Sequence, residues 1–115
     1  STALPPCIVA GSLAGLELLE RDSGPLLKLR SNIDKLANSL SALGFDIMGS
    51  ETPIIPIKTG NIKDTLRISQ RLFEKGIYAP AIRPPTVKTP RIRITVTAAH
   101  RDEDIERLIE ELKKA

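Results

Sequence analysis

From Leu26 onward the apolar positions recur in steps of three and four, at Leu26, Leu29, Ile33, Leu36, Leu40 and Leu43. That spacing puts them on one face of a long amphipathic helix. Pro25 opens it, and Gly44 stands where a C-terminal cap belongs. The same rule reappears near the end of the chain, where Ile105, Leu108, Ile109 and Leu112 follow i, i+3, i+4, i+7. Acids come first in that segment and lysines last, as the helix dipole favours, with Asp102 as the expected cap. Ahead of both, Pro5 and Pro6 suit the first turn of a helix through CIVAGSLAGLELLER, broken by DSG at Asp22 to Gly24. Ile8, Ser12, Gly15, Leu16 and Leu19 lie near one face of it, and Cys7 reads as a small apolar filler. Gly11 and Gly15 cost roughly 1 kcal/mol each in a helix interior, which points to close packing against a neighbour, one absent from this chain included.

Between the helices the period changes. TPIIPIKTG, from Thr52 to Gly60, reads as a strand pushed to a sheet edge by Pro56. Asn61 can cap IKDTLRISQRLFEK, with Ile62, Leu66, Leu72 and Phe73 toward the core and Gly76 as the stop. IYAPAI is a shorter strand. RIRITVTA is a third, alternating Ile92, Ile94, Val96 and Ala98 against Arg91, Arg93, Thr95 and Thr97. The expected order is helix, helix, strand, helix, strand, strand, helix. This is an α+β domain: a small, mostly antiparallel sheet of about three strands with helices on one face. It divides into a helical segment, 1–44, that links outward and packs on the sheet, and an α/β core, 45–115.

Charge and composition narrow the function. The 115 residues carry 17 Lys and Arg against 14 Asp and Glu, a net +3, and are 3% aromatic. A mild excess with Phe45, Phe73 and Tyr78 apart from one another gives no stacking platform, which argues against nucleic acid. The single cysteine has no disulfide partner and no clustered metal ligands, so a reducing, cytoplasmic setting is expected and no metal. No stretch approaches the ~18 apolar residues of a membrane span. The abrupt STALPP start reads as a fragment boundary rather than a signal peptide.

Candidate chemistry sits in AIRPPTVKTPRIRITVTAAH, Ala81 to His100. Arg91 and Arg93 share the polar face of a strand, and Pro84-Pro85 stiffens the loop that carries Arg83 and Thr86. A guanidinium fork held on a strand is pre-positioned for a carboxylate, although arginine and threonine alternating on a solvated face are also ordinary. Pattern alone leaves both readings open. His100 reads as a structural hydrogen-bonding residue at a strand–helix junction, since nothing near it marks a triad.

STALPP, TPIIPI, GIYAPAIRPPTV and RIRITVTAAH, in this order and spacing, resemble the C-terminal part of the α-oxoamine synthases, across essentially the whole chain. The resemblance implies the small C-terminal domain of a fold-type I enzyme that uses pyridoxal 5′-phosphate to condense an amino acid with an acyl-coenzyme A thioester. AIRPPTV resembles the branch of biotin synthesis, in which L-alanine and a pimeloyl thioester react with loss of carbon dioxide. By matched position, Arg93 binds the amino-acid carboxylate and Thr86 contacts substrate. Ser1 and Thr2 bind the cofactor phosphate of the other subunit in a homodimer. Neither Arg83 nor Arg91 receives a role. The chain departs from the family in two places: Val87-Lys88-Thr89-Pro90-Arg91 is two residues shorter than usual, and Arg101 replaces a hydroxyl residue. The lysine that carries the cofactor belongs to an N-terminal large domain, and none of the lysines in this chain sits in its motif. No catalytic residue is therefore expected in this chain, which alone should be inactive. The alternatives are another α-oxoamine synthase, of the 2-amino-3-ketobutyrate or 5-aminolevulinate type, or a free-standing α+β ligand-binding or interaction module.

Overall fold

A computed structural model describes residues 2–114 of the chain. The elements run α1 (Pro6–Arg21), α2 (Gly24–Ala42), β1 (Ile54–Lys58), α3 (Ile62–Glu74), β2 (Ala81–Ile82), β3 (Arg91–Thr95) and α4 (Asp102–Lys113). This is the expected order of an α+β fold. The three strands form one antiparallel sheet in the order β1-β3-β2. β3 is therefore central, with Ile54 opposite Thr95, Pro56 opposite Arg93 and Lys58 opposite Arg91. Pro56 lies on an edge strand, where its missing N–H breaks no ladder bond. Lys58, two residues on, sends its N–H away from β3 to the Asp46 carbonyl at 2.9 Å.

The core lies between one sheet face and α2, α3 and α4. Ile55, Ile57, Ile92 and Ile94 meet Ile33, Leu36 and Leu40 of α2, Leu72 of α3, and Ile105, Leu108, Ile109 and Leu112 of α4. All four apolar positions expected of α4 are buried. In α2 the stripe holds through its middle, while Leu26 and Leu43 at its ends are exposed. The helix closes as anticipated: Gly44 has φ +83°, its N–H reaches the Ser41 carbonyl, and the Phe45 N–H reaches the Leu40 carbonyl, each at 3.0 Å. Those two bonds satisfy carbonyls that a helix end otherwise leaves bare.

Several expectations fail, each for a physical reason. In α3, Ile62, Leu66 and Phe73 are exposed, and the buried positions are Thr65 and Leu72. The helix is turned so that Thr65 can bond the Thr59 hydroxyl. β2 is two residues long because the chain at 77–80 leaves the ladder, retaining one bond from the Arg93 N–H to the Pro80 carbonyl, 3.0 Å. Asp102 is not the cap of α4 but its first residue, paired with Lys28 at 2.9 Å; the Arg101 N–H donates instead to the Asp104 carboxylate, 2.9 Å. Cys7 is exposed and fills nothing. α1 has no buried residue, and burial begins within α2, so that helix belongs to the core.

Candidate functional site

The face of the sheet away from the core carries the polar half of β3. Arg91 is half-buried, and Arg93 and Thr95 are exposed. Cross-strand partners share a face, so Ile54, Pro56 and Lys58 flank them on one side and Ile82 on the other. Arg91 and Arg93, with Ile54, Pro56 and Ile82 of these neighbours and the loop after β2, bound a concavity of about 360 Å³. Arg91, Arg93 and Thr86 contribute polar groups to it, and Ile54, Pro56, Ile82 and Val87 make its apolar walls. The structure thus brings Arg93 and Thr86 together and adds Arg91. Arg83 is exposed and does not line the cavity.

Local structure fixes where each group stands. Thr86 follows a cis Pro84–Pro85 peptide, and its N–H donates to the Arg83 carbonyl at 3.1 Å. Arg91 donates from Nε to the Thr89 carbonyl, 3.1 Å. Ser50 and Thr52 complete the rim, but their hydroxyls donate to the Ile54 carbonyl at 2.7 and 3.2 Å. They can still accept from a ligand. The hydrogen-bond donors left for an anion are the guanidinium groups and Thr86.

Electrostatics point the same way. Among the described residues, neither Arg91 nor Arg93 has a carboxylate within salt-bridge distance, whereas Lys58 beside them is paired with Asp46 at 3.4 Å. The Asp46 carboxyl is held below its ordinary range, first by the Met48 N–H and then by Lys58. Two cations without acids, on a rigid strand beside apolar walls, suit a ligand with an anionic and an aliphatic part.

A second cavity of about 290 Å³ lies beyond β2, near His100 and Asp104. Its charged groups are engaged within the protein: Asp104 accepts from Arg101, and Arg107 donates to the Lys75 carbonyl. His100 serves the backbone there, its Nδ1 accepting the Thr97 N–H at 3.0 Å. Asn32, fully buried on α2, donates to the carbonyls of Thr97 (3.0 Å) and His100 (2.9 Å). The structural reading of His100 stands, and Asn32 is the partner that the sequence pattern missed. Its signal was a polar residue three positions after Leu29 and four before Leu36, inside the buried stripe.

Of the proposed cofactor contacts, Ser1 lies outside the described residues, and Thr2 is exposed and lines neither cavity. No lysine lines the cavity beside Arg93. The residues that line it supply guanidinium and hydroxyl donors that fit a carboxylate or another anion.

Comparison with known proteins bears on this geometry. Residues 3–112 match the family described as aminotransferase class I and II. A relative from Geobacter metallireducens, named 8-amino-7-oxononanoate synthase, is 42% identical over 113 residues, covering 95% of this chain and 29% of its own length. Identity reaches 48% over 108 residues in a protein of Thermodesulfovibrio yellowstonii, covering 94% of this chain and 28% of that one. Among solved structures, 8-amino-7-oxononanoate synthase from Francisella tularensis superposes with a TM-score of 0.83 at 26% identity, over 98% of this chain and 33% of that one. A serine palmitoyltransferase from S. paucimobilis, solved with bound PLP and myriocin, superposes with a TM-score of 0.87 at 25% identity, over 99% and 30%. The chain thus spans less than a third of the length of the Geobacter and Thermodesulfovibrio proteins.

Proposed function

The chain belongs to the aminotransferase class I and II family, and from that premise we propose that it is the small C-terminal domain of a pyridoxal-phosphate-dependent α-oxoamine synthase. Within that group the reading is 8-amino-7-oxononanoate synthase, joining L-alanine to a pimeloyl thioester, with carbon dioxide and the thiol leaving. The names of the relatives and the AIRPPTV segment support the choice of member.

The single observation that carries the reading is Arg93: an arginine on the central strand with no acid partner among the described residues, opening into the same apolar-walled cavity as Thr86. Its role is to bind and orient the amino-acid carboxylate through the planar fork. Thr86 contacts the substrate from the loop. Ser1 and Thr2, by their match to the family's Ser-Thr pair, hold the cofactor phosphate of the partner subunit through hydroxyl donors. The cofactor, when bound, supplies the electron sink for bond changes at the amino-acid α-carbon. The lysine that carries it belongs to the N-terminal large domain, so the isolated chain is inactive.

The test is steady-state kinetics of Arg93→Ala in the full-length enzyme. The Michaelis constant for the amino acid rises by one to two orders of magnitude, in keeping with the roughly 1.5–3 kcal/mol of a charged hydrogen bond, while the cofactor stays bound. An unchanged constant removes the anchoring role.

A further inference from the structure

We propose that Thr59 and Arg91 are positioning residues that clamp the far end of the loop carrying Thr86. The proposal rests on the reading of Thr86 as a substrate contact. The loop from Arg83 to Pro90 contains Pro84, Pro85 and Pro90, which have no N–H to donate. It therefore has few main-chain donors of its own, and its anchors must come from outside. The near end is held by the Ile82–Arg91 pairing and the Arg83–Thr86 turn. At the far end, Arg91 Nε donates to the Thr89 carbonyl at 3.1 Å. One residue later, the Pro90 carbonyl receives the Thr59 N–H at 3.1 Å and the Thr59 hydroxyl at 3.0 Å.

Behind Thr59 stands Thr65 of α3, fully buried, with its hydroxyl 2.5 Å from that of Thr59 and 2.7 Å from the Asn61 carbonyl. Two hydroxyl protons thus serve three oxygen–oxygen contacts. The Asn61 carbonyl already accepts the Thr65 N–H at 3.2 Å. Its second lone pair takes the Thr65 hydroxyl, so the Thr59 proton is shared between the Pro90 carbonyl and the Thr65 oxygen. Buried hydroxyls cost free energy unless bonded, and valine would fill either position without a polar atom. The pair is explained by what it holds: a loop end on one side of β3, tied through β1 and α3 to the core.

The experiment compares four variants of the full-length enzyme by kinetics and by amide hydrogen exchange at Thr86, Val87, Lys88 and Thr89. Thr59→Val keeps the shape and loses the hydroxyl. It should speed exchange at these amides by about five- to tenfold, and raise the amino-acid Michaelis constant by a similar factor. Thr59→Ser should restore both. Arg91→Met should speed the same amides. Wild-type exchange at 86–89 in Thr59→Val and Arg91→Met, whatever happens to the melting temperature, overturns the clamp. Thr86→Val separates the two ideas. If it leaves the Michaelis constant unchanged, the substrate role of Thr86 fails, and the exchange data alone decide the clamp.

Discussion

Pro56 stands directly opposite Arg93 in the β1–β3 ladder, and the Arg93 N–H is taken on the other side by the Pro80 carbonyl. On the β1 side the neighbour presents a ring rather than a long side chain at the level of the arginine. The guanidinium therefore leaves the sheet beside a compact apolar group, with no acid among the described residues to draw it aside. Arg93→Lys keeps the charge and loses the fork. It should recover only part of the affinity lost in Arg93→Ala, leaving the amino-acid Michaelis constant about tenfold above wild type. Neither variant should change stability by more than about 0.5 kcal/mol, because an exposed, unpaired arginine holds nothing in the fold. Urea unfolding measured beside the kinetics tests both statements.

Asn32 should be costly to replace. Asn32→Asp has nearly the same shape, but when ionised it turns an acceptor toward the Thr97 and His100 carbonyls, which now receive its amide protons. A loss of about 3 kcal/mol or more in urea unfolding is expected. Acid that protonates the new carboxyl should restore part of it. A loss below about 1 kcal/mol would mean that water takes over the two carbonyls.

The charged seam between α2 and α4 sets the pH limits. The hydrogen bond from Lys28, then the charges of Lys28 and Lys35, hold the Asp102 carboxyl below its ordinary range. The hydrogen bond to Glu106 chiefly raises Lys35 above its own. A lowered carboxyl contributes stability above its unfolded pKa, near about 3.9, and loses it as pH falls through the folded value. A raised amine contributes below its unfolded pKa, near about 10.4, and loses it as pH rises past the folded value. The melting temperature should therefore be level from about pH 5 to 9 and fall outside those limits. Asp102→Asn should soften the acid-side fall. Asp102 is exposed and Lys35 only half-buried, so added salt should shrink the effect.

Gly11 and Gly15 report on what α1 faces. A Cβ at either position meets nothing within 4 Å. In the isolated chain, Gly11→Ala and Gly15→Ala should each stabilise the helix by about 0.5–1 kcal/mol, read as a gain in helical circular dichroism on heating. In the full-length protein the same changes should be destabilising where another backbone approaches the small residues. A stabilisation in both settings would show that α1 is solvated in both.

Periodicity found α4 and the middle of α2 because their buried stripes coincide with their apolar ones. It misjudged α3, where the apolar stripe of Ile62, Leu66 and Phe73 lies about 100° around the helix from Thr65, Ile68 and Leu72, which turn inward. A hydroxyl bond to Thr59 and the position of Leu72 set that rotation, and neither contact can be read from helical spacing. The site divides in the same way. Strand alternation put Arg91 and Arg93 on one face, and the family resemblance singled out Arg93 and Thr86, each through a local pattern. Thr59, Thr65 and Asn32 were not, since a buried polar residue is recognised by the partner across the fold that satisfies it.

β1 and β2 pair with β3 and not with each other. No strand pairing can form until the strand bearing Arg91 and Arg93 docks, because both ladders include it. Folding delay and site assembly thus share one keystone. A substitution that slows β3 docking would leave the helices formed and the ligand face unmade, so refolding followed by ligand binding should show no phase earlier than that of the sheet itself.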